Sequence, residues 1–266
     1  MEAADIQFAG SIPEYYDRCL GPFLFEPYAE DLAARARSLR PGRILETAAG
    51  TGIVTAALTR ALPDAEIVAT DLNSDMLRVA GRKPDARRVT FAPADAQSLP
   101  FPDSAFDLVV CQFGAMFFPD RIAAYREARR VLRPGGTFLF NVWDRLEANP
   151  ASQAVAEAVA ALFPGDPPSF LHRIPFGYHD KALIEADLRS AGFASVEAET
   201  VAKRSRGNAR ELAPGLCQGS PLRAEIEARA PDRLEEASQA ALAELVRRHG
   251  DPVDAAMSAH VFTARF

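Results

Sequence analysis

Between residues 43 and 143, short apolar runs alternate with segments of helical periodicity, and this alternation limits what the chain can fold into. "RILETA" reads as a strand and "GIVTAALTRAL" as a helix; "EIVATD" is a strand and "SDMLRVAGR" a helix. "RVTFAPAD" and "FDLVVCQF" follow as strands three and four. "RIAAYREARRVLR" is a helix closed by Pro134-Gly135-Gly136, and "TFLFNVWD" is a fifth strand. Near-continuous apolar strands separated by helices imply a parallel sheet covered on both faces. Right-handed crossovers then bring the strand C-termini and their following loops to one edge, where ligands of such sheets bind.

The rest of the chain departs from that rhythm. "NPASQAVAEAVAALFP" (149–164) predicts an inserted helix, followed by the Pro-rich loop "GDPPSFLHRIPFGYHD". "KALIEADLRSAGF" is a helix stopped by Gly192, and "SVEAETVAKR" is a strand. Residues 221–249 read as mostly helical, with a restart at Pro231-Asp232, and "SAHVFTARF" alternates as a terminal strand. With no internal repeat, one domain is expected over 1–266. Its parts are an N-terminal lid and first helix (1–40), a core (43–143), helical insertions over the ligand edge (145–180 and 205–250) and a terminal strand (257–266).

A hydrophobic content of 48% and a charged content of 25% are those of an ordinary globular protein, and the net charge of −6 favours neither nucleic acid nor an anionic membrane. The basic clusters "GRKPDARR" and "AKRSRGNAR" are short and interrupted, as solvated faces are. Cys19, Cys111 and Cys217 show neither disulfide nor zinc spacing, so no metal is expected. Cys111, inside "FDLVVCQF", reads as a packed strand residue. "MEAADIQFAG" lacks the pattern of a signal peptide and no apolar run reaches membrane-spanning length, so a cytoplasmic setting is expected.

The chemistry begins at "LETAAGTG". Gly50 and Gly52 bring backbone close to a ligand or a tight turn, but the loop does not complete a GxGxxG pattern, because the third glycine position is Thr55. Glu46, at the end of the first strand, would repel a dinucleotide pyrophosphate by roughly 1–4 kcal/mol at contact range. The same carboxylate would welcome an ammonium. Asp71 closes the second strand, 19 residues after Gly52, where an acid accepts from both ribose hydroxyls. A nucleoside ligand with cationic groups and no phosphate fits these residues, and S-adenosylmethionine is such a ligand. Asp71 as a helix N-cap is the plainer reading, with Asn73 and Ser74 competing for that place.

The stretch 44–143 resembles class I S-adenosylmethionine-dependent methyltransferases of the type 11 group, which includes quinone-biosynthesis C-methyltransferases. The resemblance rests on "LETAAGTG", "ATDLNSDML", "PADAQSLPFPDSAFDLVVCQFGAMFF" and "EARRVLRPGGTFLF", in that order. It implies a Rossmann-like, doubly wound, seven-stranded and mainly parallel sheet with an antiparallel last strand. By the resemblance, Glu46, Ala48, Gly50 and Gly52 line the methionine end of the cofactor. Asp71 binds the ribose, Leu72 lies beside the adenine, and Met76 packs on it. Asp95 accepts from the adenine amino group beside the Ala96 backbone, and Gln112 and Phe113 sit near the methyl group. Ala48-Ala49 departs from the Gly-Cys or Ala-Cys of relatives. "IPEYYDRCLGPFLFEPYAEDLA" resembles a segment that folds over the cofactor, making Tyr16, or its neighbour Tyr15, a lid candidate.

Methyl transfer from a sulfonium needs binding, alignment and desolvation, and an acceptor of high pKa also needs a base. His172, His179, Asp144 and the tyrosine pair are candidates, none of them assigned; His260 and His249 read as structural. The expected partner is a small-molecule methyl acceptor, its identity and the oligomeric state left open. Two rival functions are a catalytically silent interaction module of the same fold and a nicotinamide-dependent oxidoreductase, the latter opposed by Glu46 and Thr55.

Overall fold

The computed structural model describes residues 12–266; the segment "MEAADIQFAG" lies outside the described residues. Helix α1 (Ile12–Tyr15) runs into a π-helical stretch (Tyr16–Phe25) and then α2 (Glu26–Leu39). The alternating region follows as β1 (Arg43–Glu46), α3 (Ile53–Ala61), β2 (Glu66–Asp71), α4 (Ser74–Ala80), β3 (Val89–Pro93), β4 (Phe106–Gln112), α5 (Arg121–Val131) and β5 (Leu132–Trp143). Beyond it come α6 (Pro150–Ala161), α7 (Phe170–Arg173), α8 (Lys181–Ser190), β6 (Ser195–Gly207), α9 (Ala209–Gln218), α10 (Leu222–Arg229), α11 (Leu234–His249) and β7 (Val253–Arg265).

The seven strands form one sheet in the order β3-β2-β1-β4-β5-β7-β6. β1 to β5 pair in parallel, and the last strand is antiparallel, as expected of a Rossmann-like sheet. The order reverses between β1 and β4: the chain winds outward from β1 to β3, then returns to β1's other side. Loops leaving β1 and β4 therefore diverge, and a crevice opens at their C-terminal ends.

Two strands begin earlier than their hydrophobic runs suggest. β5 starts at Leu132 and carries Pro134-Gly135-Gly136 within it. Phe106 pairs with Leu132 while Leu108 pairs with Thr137, so the extra residues bulge out and Pro134 need not donate to the ladder. β7 starts at Val253, before the alternation of "SAHVFTARF". Helix α9 falls within the 205–250 helical insertion, although Pro214 and Gly215 interrupt its pattern. It forms nonetheless: Asn208 caps it by accepting from Arg210 N at 2.8 Å, and Gly215 is seated where a Cβ would come within 2.9 Å of Cys19 Cβ.

The chain divides into two compact units. One holds residues 28–142, 179–201 and 259–266, and so contains β1 to β5 with α3, α4, α5 and α8. Its core carries an aromatic run in which Phe138 stacks on Phe140 at 4.7 Å and Phe140 on Phe262 at 5.1 Å. The other holds the described residues up to Pro27 with 143–178 and 202–258; there α11 packs against α6 and α9. Among the described residues, no helix is long and apolar enough to cross a membrane.

Candidate functional site

The loop from β1 to α3 is shaped by three consecutive demands on the backbone. Ala48, Gly50 and Gly52 have φ of +52°, +55° and +76°, all in the left-handed region. At Gly52 a Cβ would lie 2.9 Å from the Cβ of Ala80, so glycine also lets α3 approach α4. At Gly50 nothing lies within 4 Å of where a Cβ would be. Gly50 therefore marks open space beside a half-buried turn of backbone, which is what a ligand cradle requires.

Ala48 holds the same conformation with a methyl group, at a cost of about 1–2 kcal/mol relative to the right-handed region. That methyl sits against the loop after β4, where a Cβ on Gly114 would fall 2.4 Å from Ala48 Cβ and 2.8 Å from Cys111 Sγ. Gly114→Ala is expected to lower unfolding stability by about 2 kcal/mol through overpacking. Adding Ala48→Gly should restore about 1 kcal/mol, because it removes one of the two clashing atoms and the φ penalty together. Urea titration of the four chains tests this, and additive effects would show that the two loops do not press on each other.

The acids of this unit take three different roles. Glu46 is only 1% exposed, and its Oε2 accepts from the Thr55 hydroxyl at 2.7 Å. Thr55 is thus no mere departure from a glycine pattern: it supplies the donor for the buried acid. Burial dominates nonetheless, with the Asp71 charge adding to it, and pushes the Glu46 carboxyl up to about 8. At neutral pH the residue keeps its proton, so its repulsion of phosphate is weaker than its sequence position suggests.

Asp71 is half-buried, and burial raises its pKa against two opposing hydrogen bonds. Its Oδ2 accepts from Gly50 N at 2.8 Å and its Oδ1 from Asn73 N at 2.7 Å. The N-cap of α4 is Asn73, whose side chain accepts from Asp75 N and Met76 N. Asp71 is therefore not spent on capping. It ties the glycine loop to the end of β2, and two oxygens with roughly four acceptor positions retain capacity for further donors.

Asp95 follows β3, where its Oδ1 accepts from Gln97 N at 2.8 Å and from Gln97 Nε2 at 3.1 Å. The Ala94 N–H donates to Asp71 O at 3.1 Å, linking this loop to β2. Leu72 is 62% exposed, an apolar side chain standing in the open beside Asp71, whereas Met76 is buried beneath. Ala96 and Gln112 are half-buried, and Phe113 is buried with its ring edge-on to Tyr28 at 5.4 Å. The sheet order thus gathers Glu46, Ala48, Gly50, Gly52, Asp71, Leu72, Met76, Asp95, Ala96, Gln112 and Phe113 along the ends of β3, β2, β1 and β4. Tyr16 belongs to the other compact unit, where it stacks on Phe25 at 4.7 Å.

Two residues of this edge escaped the sequence argument. Asn141 on β5 is fully buried; its Oδ1 accepts from Phe113 N at 2.9 Å, pinning a residue whose φ is +51°. A polar residue inside the apolar run "TFLFNVW" was the available signal, since buried amides need partners. Thr51, in the glycine loop, is 1% exposed and its hydroxyl has no protein partner; nor has Asn141 Nδ2. An orphaned hydroxyl in the glycine loop itself, that of Thr51, fits a polar ligand.

The candidate bases are placed less suggestively. Asp144 Oδ2 accepts from Ser258 Oγ at 2.8 Å and Oδ1 from Arg145 N at 2.7 Å, in a knot that Asn149 completes with Ser258. His172 is exposed and His179 half-buried. His260 is buried, with Nδ1 3.0 Å from Thr200 Oγ1, as befits a structural histidine. Burial pushes the Cys111 thiol up to about 12, so it is no nucleophile at neutral pH. Among the described residues no cluster of His, Cys, Asp and Glu could hold a metal ion.

Comparison with known proteins bears directly on this edge. The methyltransferase domain family matches residues 45–140, which span the glycine loop, the three acids and β5 up to Phe140. A demethylmenaquinone methyltransferase of Deinococcus radiodurans is 33% identical over 178 residues, covering 65% of this chain and 69% of that protein. The chain belongs to the type 11 family of class I S-adenosylmethionine-dependent methyltransferases. A demethylmenaquinone methyltransferase of Thermus thermophilus is 44% identical over 117 residues, covering 41% of this chain and 53% of its own length. The chain thus spans about half to two thirds of these curated relatives. Among solved structures, the [4+2]-cyclase SpnF aligns with a TM-score of 0.59 and 25% identity, over 91% of this chain and 80% of that one. The family's cofactor is S-adenosylmethionine, and the open Gly50 cradle, the orphaned Thr51 hydroxyl and the ribose-capable Asp71 fit it.

Proposed function

We propose that this family member transfers a methyl group from S-adenosylmethionine to a small-molecule acceptor. The observation that carries this reading is the Asp71–Gly50 bond, which holds a ribose-binding acid and an open glycine cradle in one piece. Glu46, Ala48, Gly50 and Gly52 take the methionine end, with the Thr51 hydroxyl directed to its carboxylate. Asp71 accepts from the ribose hydroxyls. Exposed Leu72 forms a platform for adenine over Met76, and Asp95 with the Ala96 backbone reads its edge. Gln112 and Phe113, the latter fixed by Asn141, border the sulfonium. Tyr16 enters this reading through family resemblance alone.

The cofactor supplies an activated methyl group with its leaving group built in. What the chain contributes is position: a rigid left-handed loop and acids locked by backbone donors hold one reactant, and buried Phe113 and Tyr28 keep that wall apolar. The names of the relatives support a hydroxylated aromatic or quinone precursor as acceptor. In a thermal-shift experiment, S-adenosylhomocysteine at about 100 times its Kd should stabilise the chain by about 2.7 kcal/mol, and NAD should not. Stabilisation by NAD alone would overturn the cofactor assignment.

A further inference from the structure

Gln97 lies two residues after Asp95 and is engaged at both ends. Its Nε2 donates to Asp95 Oδ1 at 3.1 Å and to Oδ2 at 3.3 Å, while its Oε1 accepts from Asp120 N at 2.9 Å. Asp120 is the N-cap of α5, its own side chain accepting from Ala123 N at 2.9 Å. The amide cannot be reversed: a backbone N–H only donates and a carboxylate only accepts, so a flipped amide would meet repulsion at both ends. The Gln97 backbone N–H adds a third hydrogen bond to the carboxylate, at 2.8 Å to Oδ1.

These bonds are unevenly shared. Oδ1 receives the two shorter bonds, whereas Oδ2 receives only the 3.3 Å contact. A free carboxylate on a loop rotates about its last torsion and presents either oxygen. This one is fixed with Oδ2 as the oxygen holding spare acceptor capacity.

We propose that Gln97 is a positioning residue that aims Asp95 Oδ2 at the exocyclic amino group of adenine, so that the site selects a 6-amino over a 6-oxo purine. The inference rests on the reading of Asp95 as the adenine acceptor and goes beyond it by naming what directs that acid. The anchor is α5: Asp120 holds one end of Gln97. Further along, Glu127 Oε2 accepts from Leu99 N at 2.7 Å, and Arg130 donates to Leu99 O and Phe101 O at 3.0 and 2.8 Å. The loop after β3 is thereby fastened to one helix at both its ends, and Gln97 is the one such fastening, among those described here, that acts on the ligand-facing carboxylate.

The test measures Kd by calorimetry for S-adenosylhomocysteine and for S-inosylhomocysteine, its 6-oxo counterpart, with the wild-type chain and Gln97→Leu. The wild type should prefer the amino compound about 100-fold, in line with a buried hydrogen-bond mismatch. Gln97→Leu should weaken S-adenosylhomocysteine about 10-fold and leave S-inosylhomocysteine within twofold, so the preference falls to about 10-fold. Gln97→Glu, which sets a carboxylate against Asp95, should fall at least as far. Equal weakening of both ligands, or an unchanged ratio, would overturn the proposal, because a general loosening of the loop does not discriminate between them. A wild-type chain that bound neither compound would instead overturn the cofactor reading itself, and this inference with it.

Discussion

Asp71→Ala should raise the Kd for S-adenosylhomocysteine by about 100-fold or more. Two contributions combine. In the proposed site the ribose loses a carboxyl acceptor, and hydrogen bonds to charged groups contribute about 1.5–3 kcal/mol each. The Gly50 and Asn73 N–H groups also lose the partners they hold at 2.8 and 2.7 Å, so the cradle itself relaxes. To separate them, the 2′-deoxy analogue is titrated alongside the natural ligand in a double-mutant cycle. The wild type should penalise the missing hydroxyl by about 10-fold or more, and Asp71→Ala should be nearly indifferent to it. If the variant penalises the analogue as strongly as the wild type does, the hydroxyl is bound elsewhere and the ribose assignment is wrong. Asp71→Asn, which keeps an acceptor for one of the two N–H groups, should fall between.

The fold was legible because a parallel sheet buries both faces and so writes its strands as continuous apolar runs. The three acids were legible for a related reason: Glu46, Asp71 and Asp95 interrupt or end those runs, and a charge at a strand terminus stands out. What local pattern cannot show is which distant groups complete each acid. Thr55 counted against a glycine pattern until its hydroxyl was found on Glu46. Gln97 stood inside the quoted motif "PADAQSLPF" without a task of its own, since its significance lies in Asp120, 23 residues away. Asn141 was visible as an oddity in a strand, but its task depends on the left-handed turn at Phe113. The early start of β5 was hidden because Pro134-Gly135-Gly136 ordinarily ends structure, and only the pairing with β4 shows that it bulges within it. In α9, inside the insertion read as helical, the close seat of Gly215 against Cys19 and Leu20 outweighs the low helix propensity of Pro214.

Affinity for S-adenosylhomocysteine should rise about tenfold per pH unit between pH 6 and 8, then level and fall. The free chain holds the Glu46 carboxyl protonated up to about pH 8. Pairing it with the ligand's ammonium ionises it and releases one proton, which each unit of rising pH favours tenfold. Above about pH 8 Glu46 is already ionised in the free chain and the gain levels; at higher pH still the ligand's zwitterionic α-amino group loses its charge and the gain reverses. The same group acts oppositely on the empty protein. Its pKa is raised from 4.5 to about 8 on folding, so the folded chain binds the proton more tightly than the unfolded one. The stability it contributes is complete below 4.5 and is lost as pH rises through 8. Over that window the empty chain should melt earlier while its stabilisation by ligand grows, a divergence that thermal melts at pH 6, 7 and 8 would display. Burial raises Asp71 as well, and the Lys83 charge lowers Glu46 alone of the two. The decisive quantity is therefore a ratio. Methylthioadenosine shares the ribose and adenine but lacks the amino acid end, so its affinity carries the Asp71 dependence without the Glu46 one. The ratio of the two affinities should climb between pH 6 and 8 in the wild type and stay flat in Glu46→Gln. A flat wild-type ratio would mean that the ammonium does not meet Glu46, and that the buried acid serves only the Thr55 hydroxyl.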